Sequence, residues 1–222
     1  MTFTESTLAA LATQLPGAAG VLRRHQLDFC CRGTQTLAEA CARRGLDPAS
    51  IAAELSALAQ DPSEPTLELL ARLSAAELVD HIERRYHEPL RPDLAHVLTL
   101  AVKVERRHGG HPDCPHGLAV TLERAAIDLE SHLAKEEQVL FPAVRRGATG
   151  LTGPVSVMLA EHEEHGEMLG QMRRLARSFQ PPEGVCSSWR ALYLDASRLE
   201  RELREHILIE NHLLFPRIGA PT

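Results

Sequence analysis

A histidine and a glutamate recur together in two copies of one phrase along this chain. The copies read His132-x3-Glu136-x4-Phe141-Pro142 and His206-x3-Glu210-x4-Phe215-Pro216. Residues four apart lie one above the other on a helix face. Leucines flank both copies, so each pair lies in an apolar stripe, where an unpaired carboxylate is costly. Two matched copies indicate two helices that present ligands to one buried metal site.

Two other predicted helices each carry a histidine after an acid in an apolar stripe, at Asp80-His81 and Glu161-His162. A hydrogen-bonded core histidine is the competing interpretation for either one alone. The complete predicted ligand set is His81, His132, Glu136, His162, His206 and Glu210. Four imidazoles and two carboxylates suit a dinuclear iron centre, with manganese as the weaker choice. A structural zinc site needs four ligands, usually cysteine and histidine.

The elements that position these residues are predicted to be helices throughout. Ser74-Ala-Ala-Glu77 is a capping box that opens the first long helix, which Pro89 and Pro92 should interrupt before a stretch over 93–107. Further helices are predicted over 117–140, from Pro154 onward, and over 188–214. Four amphipathic helices with short joins favour an up-down four-helix bundle. The predicted fold class is therefore all-α.

The chain divides into three predicted parts. Residues 1–60 form a small helical domain, in which Pro16 begins one helix, Thr36 caps a second and Asp47-Pro48 opens a third. Residues 61–72 are a proline-containing linker, and residues 73–222 are the bundle.

Composition narrows the class of function. The chain is 44% hydrophobic and 24% charged, with a formal net charge of −6. This charge does not favour nucleic acid or an anionic membrane as a partner. No export signal or membrane-length apolar run is evident, so we expect a cytoplasmic protein. Five cysteines without such a signal favour free or redox-active thiols over a disulfide framework.

The full length resembles the repair-of-iron-centres family, the YtfE/ScdA-type di-iron proteins. The shared motifs are Asp28-Phe-Cys-Cys-x-Gly33, Gln35-Thr-Leu37, Asp80-His-Ile82, Arg85-Tyr-His87, Lys103-Val-Glu-Arg106, Ser131-His-x-x-Lys-Glu-Glu137, Leu140-Phe-Pro142, Gly153-Pro154, Glu161-His162, His206-x3-Glu210-Asn211 and Leu214-Phe-Pro-Arg217. The resemblance implies a Cys-Cys domain before a hemerythrin-like bundle that holds two non-haem iron ions with an oxo or hydroxo bridge.

The resemblance also implies a role under nitrosative and oxidative stress: repair of iron-sulfur clusters, and binding of NO or its reduction to N₂O. Glu161 is then the candidate proton carrier, or else an orienting acid. Cys30 and Cys31 are candidate redox or transfer thiols, or else a packed inert pair. Iron-sulfur proteins are the expected clients; the electron donor and a homodimer through Cys30 stay open.

Two rival functions remain open: a hemerythrin-type sensor or carrier of O₂ or iron, and an iron donor without NO reductase activity. Other residues are interpreted more simply. His165 is a reserve ligand or a support for one, and Cys186 is expected to pack in a core. Surface or capping positions are expected for His87, His96 and His212. A flexible loop is favoured over a peripheral metal site for His108, His111, Cys114 and His116.

Overall fold

The computed structural model describes residues 3–15, 18–58 and 67–219, and within these ranges it contains helices and no strand. The all-α prediction is confirmed. None of the helices described is both long and apolar enough to cross a membrane. Pro16 and residues 61–66, half of the predicted linker, lie outside the described residues.

The N-terminal module consists of four short helices, and the side chains at two of the predicted caps accept hydrogen bonds from the helix backbone as expected. Thr36 and Glu39 form a reciprocal capping box, and Asp47 accepts the backbone N–H groups of Ala49 and Ser50. These caps begin the third and fourth helices. The helices are α1 (Leu8–Gln14), α2 (Ala18–Arg24), α3 (Leu37–Arg44) and α4 (Pro48–Leu58).

A short helix, α5 (Leu67–Ala71), follows in the range predicted as linker, and Ser74 and Glu77 then form the predicted capping box. The bundle consists of α6 (Ala75–Ile82), α7 (Glu88–His108), α8 (Leu118–Lys135), α9 (Phe141–Arg145), α10 (Thr152–Leu175), α11 (Ser187–Ile209) and α12 (Phe215–Ile218). Three wide π turns join α6 to α7, α8 to α9, and α11 to α12 without a break in the helix. The π turns are Glu83–His87, Glu136–Leu140 and Glu210–Leu214.

The predicted interruption of the first long helix at Pro89 and Pro92 is wrong. Pro89 lies in the first turn of α7, where its missing N–H is tolerated, and Pro92 lies on the exposed side of the same helix. The same arrangement recurs, because Pro142 and Pro216 also follow a π turn by two residues. A proline after a widened turn therefore marks a local change of helical register here.

The apolar core runs from the N-terminal module into the bundle. Ile207 and Leu208 of α11 belong to the same buried cluster as Leu22 and Phe29 of the module. A second cluster fills one end of the bundle around Trp189, and a third surrounds the ends of the helices that carry the histidines and glutamates. The module is thus packed on the helix that carries one of the two repeated motifs.

Candidate metal centre

The three π turns place ligand-type residues at equivalent points. Glu136 and Glu210 are the first residues of their π turns, and His87 is the last residue of its own. An extra residue per turn shifts the side chains that follow and is frequent at functional sites. Helix α10 has no π turn and contributes His162.

Two groups of four buried side chains meet between these helices, and both groups contain the same two carboxylates. The first is His87, Glu136, His206 and Glu210, and the second is His132, Glu136, His162 and Glu210. Within each group, one potential ligand atom per residue lies within 4.8 Å of the others. Two shared carboxylates between two pairs of imidazoles are a donor set able to bind metal.

Three of the four imidazoles present an unprotonated Nε2 to the cluster. His132, His162 and His87 each place Nδ1 against an acceptor, so Nδ1 carries the ring proton and donates it, and Nε2 keeps its lone pair. The Nε2 atoms of His87 and His206 are 3.1 Å apart, and those of His132 and His162 are 3.2 Å apart. Between His132 and His162, two lone pairs face each other and repel unless a cation lies near both.

The two shared carboxylates also lack hydrogen-bond donors. All four side-chain oxygens of Glu136 and Glu210 are buried and find no hydrogen bond among the described residues. Nε2 atoms lie 3.0 to 3.5 Å from these oxygens. For His87, His132 and His162, protonation at Nδ1 leaves no hydrogen on Nε2 to donate to them. Buried carboxylates without donors are costly, and metal ions would satisfy them. The donor set therefore fits two ions of the kind that imidazole and carboxylate prefer.

Electrostatics in the metal-free chain agree with this fit. Burial, reinforced by His206, lowers the pKa of His87 to about 4, and burial with His162 nearby lowers that of His132 to about 3. These rings are neutral ligands near pH 7. Burial and the adjacent Glu210 raise the pKa of Glu136 well above its usual range. Two carboxylates this close avoid holding two uncompensated negative charges.

The residues behind the ligands follow the sequence repeat. Glu137 and Asn211, each one position after a shared glutamate, accept from Nδ1 of His87 at 3.0 Å and of His162 at 2.7 Å. The phenylalanines of the two repeats stack on the same two histidines: Phe141 on His87 with ring centroids 5.5 Å apart, and Phe215 on His162 at 5.6 Å. The repeated Phe-Pro phrase therefore orients the histidine of another helix.

The predicted ligand His81 is not brought into either group. It is half-buried beside Tyr86, with ring centroids 5.9 Å apart, because the buried stripe of α6 runs through Leu78, Val79 and Ile82. The π turn after Ile82 then makes His87 the next buried position. His87, predicted as a surface or capping residue, is 1% exposed. The other five predicted ligands are brought together.

A signal for His87 is present in the sequence. Glu83 precedes Pro89 by the same interval that separates Glu136 from Pro142 and Glu210 from Pro216. That interval spans a π turn in all three cases. The spacing of a regular α-helix does not reveal this signal, because it predicts His81 rather than His87 at the buried position.

The two neighbours of the ligands on α10 differ in role. Glu161 accepts from Nδ1 of His132 at 2.8 Å and forms a short ion pair with Lys135. This geometry orients His132, and transport of protons by Glu161 stays a prediction. His165 is buried with its ring 4.8 Å from that of His132, outside both groups of four.

The Cys-Cys pair lies directly against α10. Sγ of Cys31 donates to the backbone oxygen of His162 at 3.0 Å and lies 3.6 Å from Sγ of Cys30. Asp28, Cys30 and Cys31 form a third group whose ligand atoms lie within 4.8 Å of one another. Cys30 is fully buried, so a disulfide to a second chain through it would require the module to move.

The remaining histidines and cysteines do not form a second metal site in the described part of the chain. Cys114 is buried in the core, while His108 lies 3.2 Å from Sγ of Cys186. The expectation that Cys186 packs in a core is wrong, since it is exposed. His96 is exposed as expected. His212 instead lies half-buried, with Nε2 at 3.3 Å from the backbone oxygen of Cys30.

Comparison with known proteins accounts for both parts of the chain. Residues 78–218 match the Hemerythrin HHE cation binding domain, and residues 4–59 match a Domain of Unknown function (DUF542). The iron-sulfur cluster repair protein YtfE of Yersinia pseudotuberculosis serotype O:1b (strain IP 31758) is 42% identical over 218 residues, 98% of each chain. YtfE of Yersinia pestis (strain Pestoides F) shows the same identity and coverage. This chain belongs to the repair-of-iron-centres family.

Membership in the repair-of-iron-centres family confirms the resemblance indicated by the motifs. The cation-binding match includes both groups of four residues, and the N-terminal match includes Cys30 and Cys31. The buried His/Glu cluster therefore lies within the part of the chain that matches a cation-binding domain, and its side chains are able to bind metal.

Proposed function

We propose that this chain is a non-haem di-iron protein that repairs iron-sulfur clusters damaged by nitrosative or oxidative stress, and that it binds NO and reduces it to N₂O. The observation that carries the proposal is the pair of buried four-residue groups with two shared carboxylates. The relatives named as iron-sulfur cluster repair proteins support the repair function, since they match over nearly the whole length.

Two iron ions, bridged by oxide or hydroxide, would be held by His87, His132, Glu136, His162, His206 and Glu210. When bound, the iron pair supplies two electrons and open positions for a diatomic gas. The chain contributes fixed imidazoles, because Glu137, Asn211 and Glu161 hold the rings from behind. Leu140, Phe141, Leu214 and Phe215 surround the centre with buried apolar groups and limit the access of water.

The reduction of two NO molecules to N₂O and water consumes two electrons and two protons. Glu161 is the candidate proton carrier because it is partly exposed and touches both His132 and the exposed Lys135. Its carboxylate would take a proton from solvent beside Lys135 and hold it next to the buried cluster. An unidentified electron donor would restore the reduced state.

Iron donation without NO reduction is the second candidate, and the Cys-Cys pair favours it. Asp28, Cys30 and Cys31 form a thiol-containing group in contact with the backbone of the ligand residue His162. Cysteine sulfur suits transfer of iron to a cluster protein. In this case iron is the cargo, and iron-sulfur proteins are the acceptors.

The first experiment is metal analysis of anaerobically purified protein, followed by addition of NO to the reduced form and assay of N₂O. Two irons per chain with one N₂O per two NO would support the full proposal. Two irons without N₂O would favour iron donation or sensing. Stable reversible O₂ binding without turnover of NO would favour a hemerythrin-type carrier, and a single zinc would refute the site.

The roles of the thiols and the metal site can be separated with matched variants. Cys30→Ser/Cys31→Ser should abolish cluster repair while iron content and N₂O formation stay unchanged. Cys186→Ser removes an exposed thiol away from the pair and should change neither activity. If the double variant repairs clusters normally, the transfer function of the pair is refuted.

A further inference from the structure

A cleft of about 560 Å³ lies between the N-terminal module and helices α10 and α11. Its volume is in the range of small-molecule sites. Six arginines line it, against four carboxylates, although the chain as a whole carries a formal net charge of −6. The arginines are Arg23, Arg32, Arg44, Arg173, Arg174 and Arg204. The cleft is therefore a local concentration of positive charge.

Four of the six arginines form no ion pair with a described residue. Arg173 and Arg204 both pair with the buried Glu200, at 2.7 and 3.1 Å. By contrast, Arg23, Arg32, Arg44 and Arg174 form no ion pair with any described residue, and Arg44 donates only to the neutral side chain of Gln26. Nε of Arg23 is also buried without a hydrogen-bond acceptor. Unpaired guanidinium groups around one cavity are suited to a ligand with carboxylates.

A thiol forms part of the wall of the same cleft. Cys31 lines it, whereas Cys30 is fully buried behind it. Gly166 of α10 makes room for Cys31, because a Cβ at that position would lie 3.0 Å from Sγ. A molecule held by the arginines would therefore meet Cys31 before any other sulfur of the pair.

We propose that this cleft binds a small thiol carrying two or more carboxylates, and that Cys31 exchanges with its disulfide. Sγ of Cys31 attacks one sulfur of the ligand disulfide, forming a new S–S bond as the old one breaks. The other half of the ligand leaves as a thiol with the proton from Cys31. The disulfide is reduced by two electrons and Cys31 is oxidised into a mixed disulfide.

This exchange goes beyond the proposed function and does not depend on which metal the bundle holds. It would remove the contact between the Cys31 thiol and the backbone oxygen of His162. An acidic thiol in the cleft could thus affect the position of a residue of the metal cluster through one hydrogen bond.

The test compares oxidised glutathione, which is anionic, with uncharged 2-hydroxyethyl disulfide on the full chain. Peptide mass mapping gives the modification rate at each cysteine, and the exposed Cys186 is the internal reference. The preference for the anionic reagent should be about tenfold larger at Cys31 than at Cys186, and should shrink at high ionic strength. Arg32→Gln/Arg174→Gln should remove this preference, since both side chains are exposed and unpaired.

Arg146→Gln, which removes an exposed charge outside the cleft, is the matched control and should keep the preference. The proposal is overturned if Cys31 shows no charge preference, or if the double arginine variant retains it. Equal loss of reactivity towards both reagents would also contradict it, since the arginines would then not act through charge. If inorganic phosphate protects Cys31 as well as S-methylglutathione does, the cleft is a general anion site and the thiol assignment is wrong.

Discussion

Replacement of His87 by alanine should remove one metal ion from the cluster, whereas replacement of His81 should remove none. The two histidines lie on one continuous helix and differ by their position relative to the π turn. Only His87 belongs to a group of potential ligands. Plasma mass spectrometry of anaerobically reconstituted protein should find about two irons per chain in His81→Ala and about one in His87→Ala.

The effect of His87→Ala on stability can be estimated from its contacts. Loss of the hydrogen bond to Glu137 costs about 1 kcal/mol. Truncation of a ring packed on Phe141 adds about 2 kcal/mol. The free energy of unfolding of the metal-free variant should therefore be about 3 kcal/mol lower than that of the metal-free wild type. Loss of one metal, present at about 100 times its Kd, removes about 2.7 kcal/mol more from the loaded protein.

Urea titrations of metal-free and metal-loaded protein measure the free energy of unfolding in the two states. Far-ultraviolet circular dichroism reports the folded fraction through its helix signal. His81→Ala should cost less than about 1 kcal/mol in either state, because this ring is only half-buried and lies outside both groups of potential ligands. Full metal content in His87→Ala, or loss of an ion from His81→Ala, would refute the assignment of the site.

Three further predictions concern pH and packing. The folded pKa of His87, about 4, lies below its unfolded value near 6.5, so its contribution to stability is complete above pH about 6.5 and is lost as the pH falls towards about 4. Over this pH range, the free energy of unfolding of the metal-free wild type, measured by urea titration, should fall by about 3 kcal/mol more than that of His87→Ala. An equal fall in both proteins would contradict this prediction. Gly33→Ala should cost about 2 kcal/mol in thermal or urea unfolding, since its Cβ would lie 2.4 Å from a backbone oxygen. At Gly20 an added Cβ would have no atom within 4 Å, so Gly20→Ala should instead stabilise the protein by about 0.5 kcal/mol. If the two alanine variants change the stability equally, the module relaxes around the Cβ at position 33 and the prediction is wrong. Glu200→Ala should cost about 4 kcal/mol by leaving the largely buried Arg173 and Arg204 without their partner, and Glu200→Ala/Arg173→Ala should recover part of the loss. A loss in the double variant equal to the sum of the two single losses would refute the coupling.

The sequence alone determined the class of fold and most of the cluster. Capping boxes at Thr36 and Ser74 are local chemistry, since each side chain bonds to a backbone group three residues away, so they could be read without a structure. The repeated His–Glu phrase likewise needs only helical spacing to place both side chains on one face. Five of the six residues that meet in the structure follow from that periodicity, including His162 on a helix without a π turn.

The sixth residue of the cluster was decided by the tertiary structure. A regular helix after Leu78 would keep His81 near the buried stripe, but the π turn shifts the register and places His87 at the cluster. A π turn is favoured by packing and by the ligands it positions rather than by the propensity of its own residues. Local spacing therefore could not distinguish His87 from a surface histidine.

The cleft also depended on the tertiary structure, because its arginines come from the N-terminal module and from two helices of the bundle far along the chain. Each of them alone is an ordinary charged residue on a helix or loop. Only the packing of the module on α11, through Ile207 and Leu208, brings Arg32 and Cys31 to the same cleft as Arg174. Residue types and short spacings determine which chemistry the chain can perform; long-range burial of apolar surface determines which of those residues meet.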